Sequence, residues 1–362
     1  MKPKIIAFYL PQFHAIPEND KWWGKGFTEW TNTKKSKPLF KGHYQPREPL
    51  NNYYYNLLDS ETQEWQSKLA QEYGIYGFCY YHYWFNGKLL IEKPMENMLK
   101  NKNIDIPFCI SWANEPWTRN WDGRNKEVLM PQFYGDKKEW EEHFQYLISF
   151  FKDSRYILKN NKPVFLLYRT NSIDNCEAMV EYWNNRAKDY GFDGIYIIET
   201  LTGHQKEPHI KNSSAVAEME PMHTIRHGLP IYTQAIRYAT KKLNKYINVF
   251  DKISYSQVWN CIFKKKRNYN KKVFIGGFVD WDNSARWGRR AMIMSGANPE
   301  RFLKYFNKQF KIAENIGSDF IFFNAWNEWA EGTYLEPDNL RGYAYLECIR
   351  SIVNERELSN NE

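Results

Sequence analysis

Only five cysteines occur in the 362 residues, Cys79, Cys109, Cys176, Cys261 and Cys348. Their number is odd and their spacing scattered, which excludes a disulfide framework and a zinc ribbon and fits reduced core thiols. No apolar run approaches the ~20 residues that a membrane-spanning helix needs. Nothing at the N-terminus resembles a signal peptide, because Met1 to Lys4 lead straight into a short strand ending at Pro11. A soluble cytoplasmic protein is the expectation. No glycine-rich phosphate turn follows that first strand, which counts against a doubly wound nucleotide-binding sheet. Repeats, low-complexity tracts and flexible linkers are also missing, so residues 1–356 read as one domain and 357–362 as a fraying tail. Neither a metal-ligand set nor a cofactor motif is expected.

Aromatic residues, in contrast, make up 18% of the chain, with 15 Trp and 26 Tyr. Many stand beside polar residues, as rings that stack under sugar faces do, although amphipathic burial produces the same pattern. The net charge of +8 is concentrated at Lys264, Lys265, Lys266, Arg267, Lys271 and Lys272, with Lys34, Lys35 and Lys37 earlier. No nucleic-acid motif accompanies these runs, so no nucleic-acid partner is expected. They read as a solvated basic face, or as a surface for peripheral association with an anionic membrane or an anionic glycan carrier.

Near the C-terminal end, the apolar run from Phe320 to Phe323 gives way to Asn324, Ala325, Trp326, Asn327, Glu328, Trp329, Ala330, Glu331 and Gly332. Core becomes cleft within a few residues. Two glutamates three apart, flanked by indoles, can have their proton affinities pushed apart by mutual repulsion and unequal desolvation. One can hold a proton while the other accepts one, the division of labour that breaking or transferring a glycosidic bond requires. The bland alternative is a pair of solvated charges at a helix start.

Strand-like runs recur with room for helices between them: Lys4 to Tyr9, Tyr76 to Tyr81, Pro107 to Ser111, Val164 to Tyr168, Gly194 to Ile198, Ala215 to Ala217, Val273 to Phe278 and Phe320 to Asn324. Helical periodicity covers Ser60 to Tyr73, Met95 to Asn101, Lys137 to Phe151, Asn175 to Tyr190, Pro299 to Asn315 and Tyr343 to Glu355. Stops are expected at Gly74, Gly191 and Gly317. This alternation predicts a single (β/α)₈ TIM barrel with long loops at the C-terminal face, where such folds carry their chemistry. Residues 22–55 form a long aromatic and proline-rich insertion, expected to be a lid or wall, and residues 239–272 a basic, helical insertion.

The residues just past the strand ends supply the candidates for substrate binding. Tyr9, Trp84, Trp112, Trp117 and Trp281 are candidate sugar platforms; His14, His82, Asn114, Glu115, Asp280 and Asn327 are candidate partners of hydroxyls. Arg169 and Arg286 suit carboxylate or phosphate recognition, or pairing with nearby acids.

The segment Phe323 to Thr333 with Glu336 and Pro337 resembles the catalytic segment of retaining endo-α-mannosidases and endo-α-mannanases. Together with Ala7 to His14 and Gly77 to Phe85, it resembles more closely the WbsX-like bacterial polysaccharide-biosynthesis proteins, often labelled glycosyltransferases. The likeness runs to about Arg350. It implies that Glu331 is the general acid and that Glu328 draws a proton from the sugar's 2-hydroxyl, with retention of configuration. The residues by themselves equally allow Glu328 as a direct nucleophile, for which the carboxyls stand ~5–5.5 Å apart. The implied substrate is an oligosaccharide or polysaccharide, lipid-linked or anionic carriers included. Two other motifs compete. Asn114, Glu115 and Pro116 resemble the acid/base strand end of other retaining barrel glycosidases, and Asp280, Trp281 and Asp282 resemble the metal pair of nucleotide-sugar transferases, although sugar binding suits Asp280 better. A transferase of O-antigen or capsular polysaccharide synthesis and a non-catalytic glycan-binding protein are the alternatives.

Overall fold

The computed structural model describes residues 2–119 and 127–358, with side chains to residue 355. Eight parallel strands form its centre: β1 Lys4–Tyr9, β2 Gly77–Phe85, β3 Phe108–Trp112, β4 Lys162–Leu167, β5 Tyr196–Leu201, β6 Ala215–Glu218, β7 Lys272–Phe278 and β8 Phe320–Asn324. Each pairs with the next in sequence, and β1 closes the circle by pairing with both β2 and β8. The result is a (β/α)₈ TIM barrel. All eight predicted strands are present, β2 extending four residues past its expected end.

The helices are α1 Pro17–Trp23, α2 Glu29–Lys35, α3 Ser60–Glu72, α4 Lys93–Lys100, α5 Lys137–Phe151, α6 Cys176–Lys188, α7 Met222–His227, α8 Ile231–Leu243, α9 Tyr255–Phe263, α10 Ser284–Trp287, α11 Pro299–Asn315 and α12 Ala344–Leu358. Local chemistry sets their starts. The Asp136 carboxylate accepts from the Lys138 N–H at 2.9 Å ahead of α5, and Asn298 does the same for Arg301 ahead of α11, where Pro299 is already set for the first helical turn. Between β5 and β6 no helix intervenes; a loop organised around buried Glu199 replaces it. That carboxylate accepts from Thr170, Ser213 and the His209 N–H at 2.6–2.7 Å.

Alternation along the strands divides inside from outside. On β1, Phe8 faces inward and stacks on Tyr81, while Tyr9 faces out and donates from its hydroxyl to Gln66 of α3 at 2.6 Å. On β8, Phe322 meets Phe8 inside and Phe323 packs on Phe302 and Phe306 of α11 outside.

The predicted basic insertion contains α9 and the last turn of α8, joined by a short strand, Asp251–Ser254, that pairs with Met292–Ser295. Its charge is not all solvated as expected. Lys265 and Arg267 turn inward because Glu218 and Glu220, at and beyond the end of β6, are fully buried and need cations. Arg267 lies 3.1 Å from Glu218, and Lys265 contacts Glu220 and lies 3.6 Å from Glu218. All five cysteines are free, and among the described residues no helix is long and apolar enough to cross a membrane.

Candidate active site

Past β8 the chain makes a tight hairpin. Asn327–Glu328 pairs antiparallel with Thr333–Tyr334 across the turn Trp329–Glu331. Gly332 closes the turn at φ 63°, and a Cβ there would stand 2.9 Å from the Asp282 carbonyl oxygen, so only glycine fits. This geometry sets Glu328 and Glu331 at the two ends of one turn. The Trp329 ring stacks on Tyr334 at 3.8 Å, and its Nε1 donates to Glu336 at 2.6 Å. Glu336 also accepts from Tyr55 and Gln66, and burial, opposed by these donors, pushes its carboxyl up to about 7. Asn327 spans the hairpin and β1, accepting from Leu10 N–H at 2.7 Å and donating to Leu10 carbonyl at 3.0 Å.

Arg286, in α10, brings three carboxylates together. Its Nη2 lies 2.5 Å from Glu29 Oε1 and 3.3 Å from Glu328 Oε2, while Nη1 contacts Glu331 Oε1. Glu29 is the first residue of α2 and comes from the segment expected to be a lid or wall. Burial disfavours the guanidinium's charge, but Glu29, Glu331 and Glu328 outweigh it and raise its proton affinity. Both candidate acids are held above the usual carboxylate range. For Glu328 the causes are burial, then the Glu331 charge, opposed by Arg286; for Glu331 they are burial, opposed by Arg286, with Glu29 and Glu115 adding repulsion. With burial and mutual repulsion outweighing Arg286, the pair retains a proton at pH values where ordinary glutamates have lost theirs.

The two glutamates line a cleft of about 500 Å³ at the C-terminal end of the barrel, walled by the rings of Tyr81, Tyr83, Tyr168, Trp117, Trp281 and Trp287 and floored in part by Asn324. Glu115, Met219, Met222 and His204 complete it. Tyr81, Tyr83 and Tyr168 stay neutral phenols, raised by burial first and by the nearby glutamates second. Neutral phenols beside carboxylates can donate to, or accept from, sugar hydroxyls.

Of the candidates named from sequence, Glu328, Glu331, Glu115, Trp117, Trp281 and Arg286 meet in this cleft. The others lie elsewhere, and strand parity explains most of them. On β2 the inward positions are Tyr81 and Tyr83, so His82 and Trp84 face α5: His82 and His143 share a 2.8 Å nitrogen–nitrogen contact, and Trp84 stacks on His143 at 4.6 Å. Burial drives the His82 proton affinity down to about 3. Trp112 is likewise outward, donating to the Trp84 carbonyl at 3.2 Å, and Tyr9 is bound to Gln66. His14 is buried and bonded to the Pro11 carbonyl at 3.1 Å. Asn114 links β3 to β4, accepting from Arg169 N–H at 2.8 Å and donating to Arg169 carbonyl at 2.9 Å, and Arg169 reaches Glu115 at 2.7 Å. Asp280 pairs with Arg47 at 2.9 Å, and Asp282 with His43 at 2.8 Å and Gln45 at 2.9 Å, so both anchor the 22–55 segment. Among the described residues no group of three or more His, Cys, Asp or Glu is arranged to hold a metal.

Tyr81, Tyr83, Tyr168, Asn324 and Glu29 were not singled out from sequence. Tyr81 shares its strand parity with Tyr83, and Asn324 with inward Phe322; Glu29 carries no local signal, since only the docking of a distant loop brings it to Arg286.

The profile of the family described as Glycosyltransferase WbsX matches residues 5–349. A protein of Xanthomonas campestris pv. campestris strain B100, described as Uncharacterized protein WxcX, is 34% identical over 357 residues, covering 96% of this chain and 49% of its own length. Its counterpart in strain ATCC 33913 is 34% identical over 353 residues with the same coverage. The chain thus spans about half the length of the curated relatives it matches. Among solved structures, a GH99 endo-alpha-mannosidase of Bacteroides thetaiotaomicron superposes with a TM-score of 0.57 at 14% identity, over 99% of this chain and 98% of that one. A structure described as a glycoside hydrolase-like protein gives 0.58 at 12% identity, over 97% and 94%. Likeness at this identity speaks for the barrel alone.

Proposed function

The chain belongs to the family described as Glycosyltransferase WbsX, and on that premise we propose that it is a carbohydrate-active enzyme that cleaves or transfers glycosidic bonds with retention of anomeric configuration. The single observation that carries this reading is the pair Glu328 and Glu331, both raised in proton affinity and facing one aromatic-walled cleft. Glu331 serves as the acid that protonates the departing oxygen and then as the base that activates the incoming hydroxyl or water. Glu328 is its carboxylate partner at the anomeric centre, either through the sugar's 2-hydroxyl or by direct attack. The indoles of Trp117 and Trp281 offer stacking faces, and the phenols of Tyr81, Tyr83 and Tyr168 offer hydroxyl contacts. The substrate class is an oligosaccharide or polysaccharide of manno-like configuration, by likeness of the glutamate hairpin to endo-α-mannosidases.

Transfer, as opposed to hydrolysis, is favoured by the family's description, and would place the enzyme in the building of a surface polysaccharide. The test incubates the protein with mannan-type oligosaccharides and, separately, with nucleotide sugars and an acceptor glycan, and follows the first-formed product by proton NMR. Retained configuration with loss of turnover in Glu331→Gln is the expected result. Inverted configuration, or near-normal turnover in Glu331→Gln on a poor leaving group, overturns the assignment.

A further inference from the structure

Helix α8 is amphipathic the wrong way round for a core helix. Its inward face is polar: Thr233, Arg237 and, just past its end, Asn244 are buried, and Arg237 grips Asp251 through two bonds of 2.9 and 3.0 Å. Its outward face is apolar. Tyr232, Ile236, Ala239 and Leu243 fall at intervals of three and four residues on one stripe, which Tyr246 and Ile247 prolong. Ile231 is 88% exposed, Tyr232 64%, Ile236 63% and Tyr246 84%. A stripe of this length on open surface needs a partner.

Charge identifies the partner. From Pro221 to Phe250 the sequence contains no Asp or Glu, while Arg226, Lys242 and Lys245 are exposed on it and Lys241, also exposed, lies 3.5 Å from the Asp251 carboxylate. Lys242 lies over the Tyr238 ring at 4.6 Å, on the flank of the stripe. Arg289 joins from the neighbouring loop, its Nη2 3.2 Å from the Ile247 carbonyl oxygen. That loop, residues 283–299, also contains no acidic residue. Isoleucine, leucine and tyrosine along the stripe suit the acyl boundary and interfacial zone of a bilayer, and Lys242 beside them suits its phosphate plane. We propose that α8 and the turn after it form a docking surface for an anionic phospholipid bilayer, on which the protein lies without crossing it. One short segment links this face to the cleft: Trp287 lines the cleft, and Arg289 two residues later contacts Ile247.

The test is co-sedimentation of the whole chain with vesicles of pure phosphatidylcholine and vesicles rich in phosphatidylglycerol. Binding is expected to the second and not the first, and to weaken as salt rises, because exposed charges are screened within a Debye length. Two variants separate the components: Ile236→Ser with Leu243→Ser and Tyr246→Ser removes the apolar stripe, and Lys242→Glu with Lys245→Glu reverses the flank, leaving Lys241 to its pair with Asp251. Each should lower partitioning by about tenfold or more, with unchanged circular dichroism, because the altered side chains are exposed. Failure to bind phosphatidylglycerol vesicles, or binding that both variants retain, overturns the proposal. So does sedimentation velocity showing a dimer that the serine variant dissolves in the absence of vesicle binding, which would assign the stripe to a second copy.

Discussion

Two buried ionic clusters lie at the C-terminal ends of β6 and β8, and they differ in charge balance. Beyond β6, Glu218 and Glu220 face Lys265 and Arg267, two acids against two bases, with Thr224 donating to Glu220 at 2.8 Å. Burial works to raise Glu220, but Lys265 and His223 outweigh it and lower its proton affinity. Beyond β8, three carboxylates share Arg286, and burial with mutual repulsion raises Glu328 and Glu331. A balanced cluster turned away from the cleft holds an insertion in place. An unbalanced one facing a cleft stores a proton that chemistry can use.

The sharpest way to break this comparison is substitution on both sides. Glu331→Gln or Glu328→Gln should lower turnover by roughly 10²–10⁴ while leaving the fold intact, as loss of a general acid or base does. Lys265→Met should instead cost about 3–5 kcal/mol of stability, read from denaturant midpoints, because it strands buried Glu220 without its cation. Arg286→Lys weakens the opposite charge beside both candidate acids. The pH optimum of its residual activity should move upward by about one unit, since opposite charges lower carboxylate values by that order.

The pH dependence of stability gives opposite signs. For Glu328 and Glu331 the folded state keeps protons that the unfolded state releases, so stability falls as pH rises from the ordinary glutamate value through the raised folded values. Glu328→Gln should therefore gain stability over the parent at pH 8 and lose that advantage near pH 4, by an amount on the order of 1 kcal/mol. Glu220 is lowered, so its contribution is complete above the ordinary glutamate value and disappears as pH falls through its folded one. Glu220→Gln should thus be least stable relative to the parent at neutral pH. The smallest effect expected is for Tyr83→Phe: a KM raised by about two- to tenfold, the worth of one hydrogen bond, with kcat little changed.

The barrel was legible because hydrophobic runs and glycine stops recur in step with its repeating unit. The glutamate pair stood out because two acids and a glycine follow an apolar run within a few residues, but the hairpin that carries them was not foreseen. What sequence left open was side-chain direction. His82 and Trp84 stand one residue from Tyr83, and a single step along a strand exchanges cleft for outer layer. Asp280 looked like a sugar ligand, yet Arg47, 233 residues away, engages it. Lys265 and Arg267 looked solvated until the buried acids of β6 explained them. In each case the deciding partner is distant in sequence, where periodicity carries no information.

Arg286 and Glu29 meet across 257 positions of chain, and the first strand is flanked by the last. The proton-holding arrangement therefore does not exist on any growing chain until β8 and its hairpin have emerged and β1 has been sealed against them. A polypeptide released before that point would lack the pairing of Arg286 with Glu328 and Glu331. The order in which the ribosome delivers the two ends of the barrel thus sets when this cluster can form.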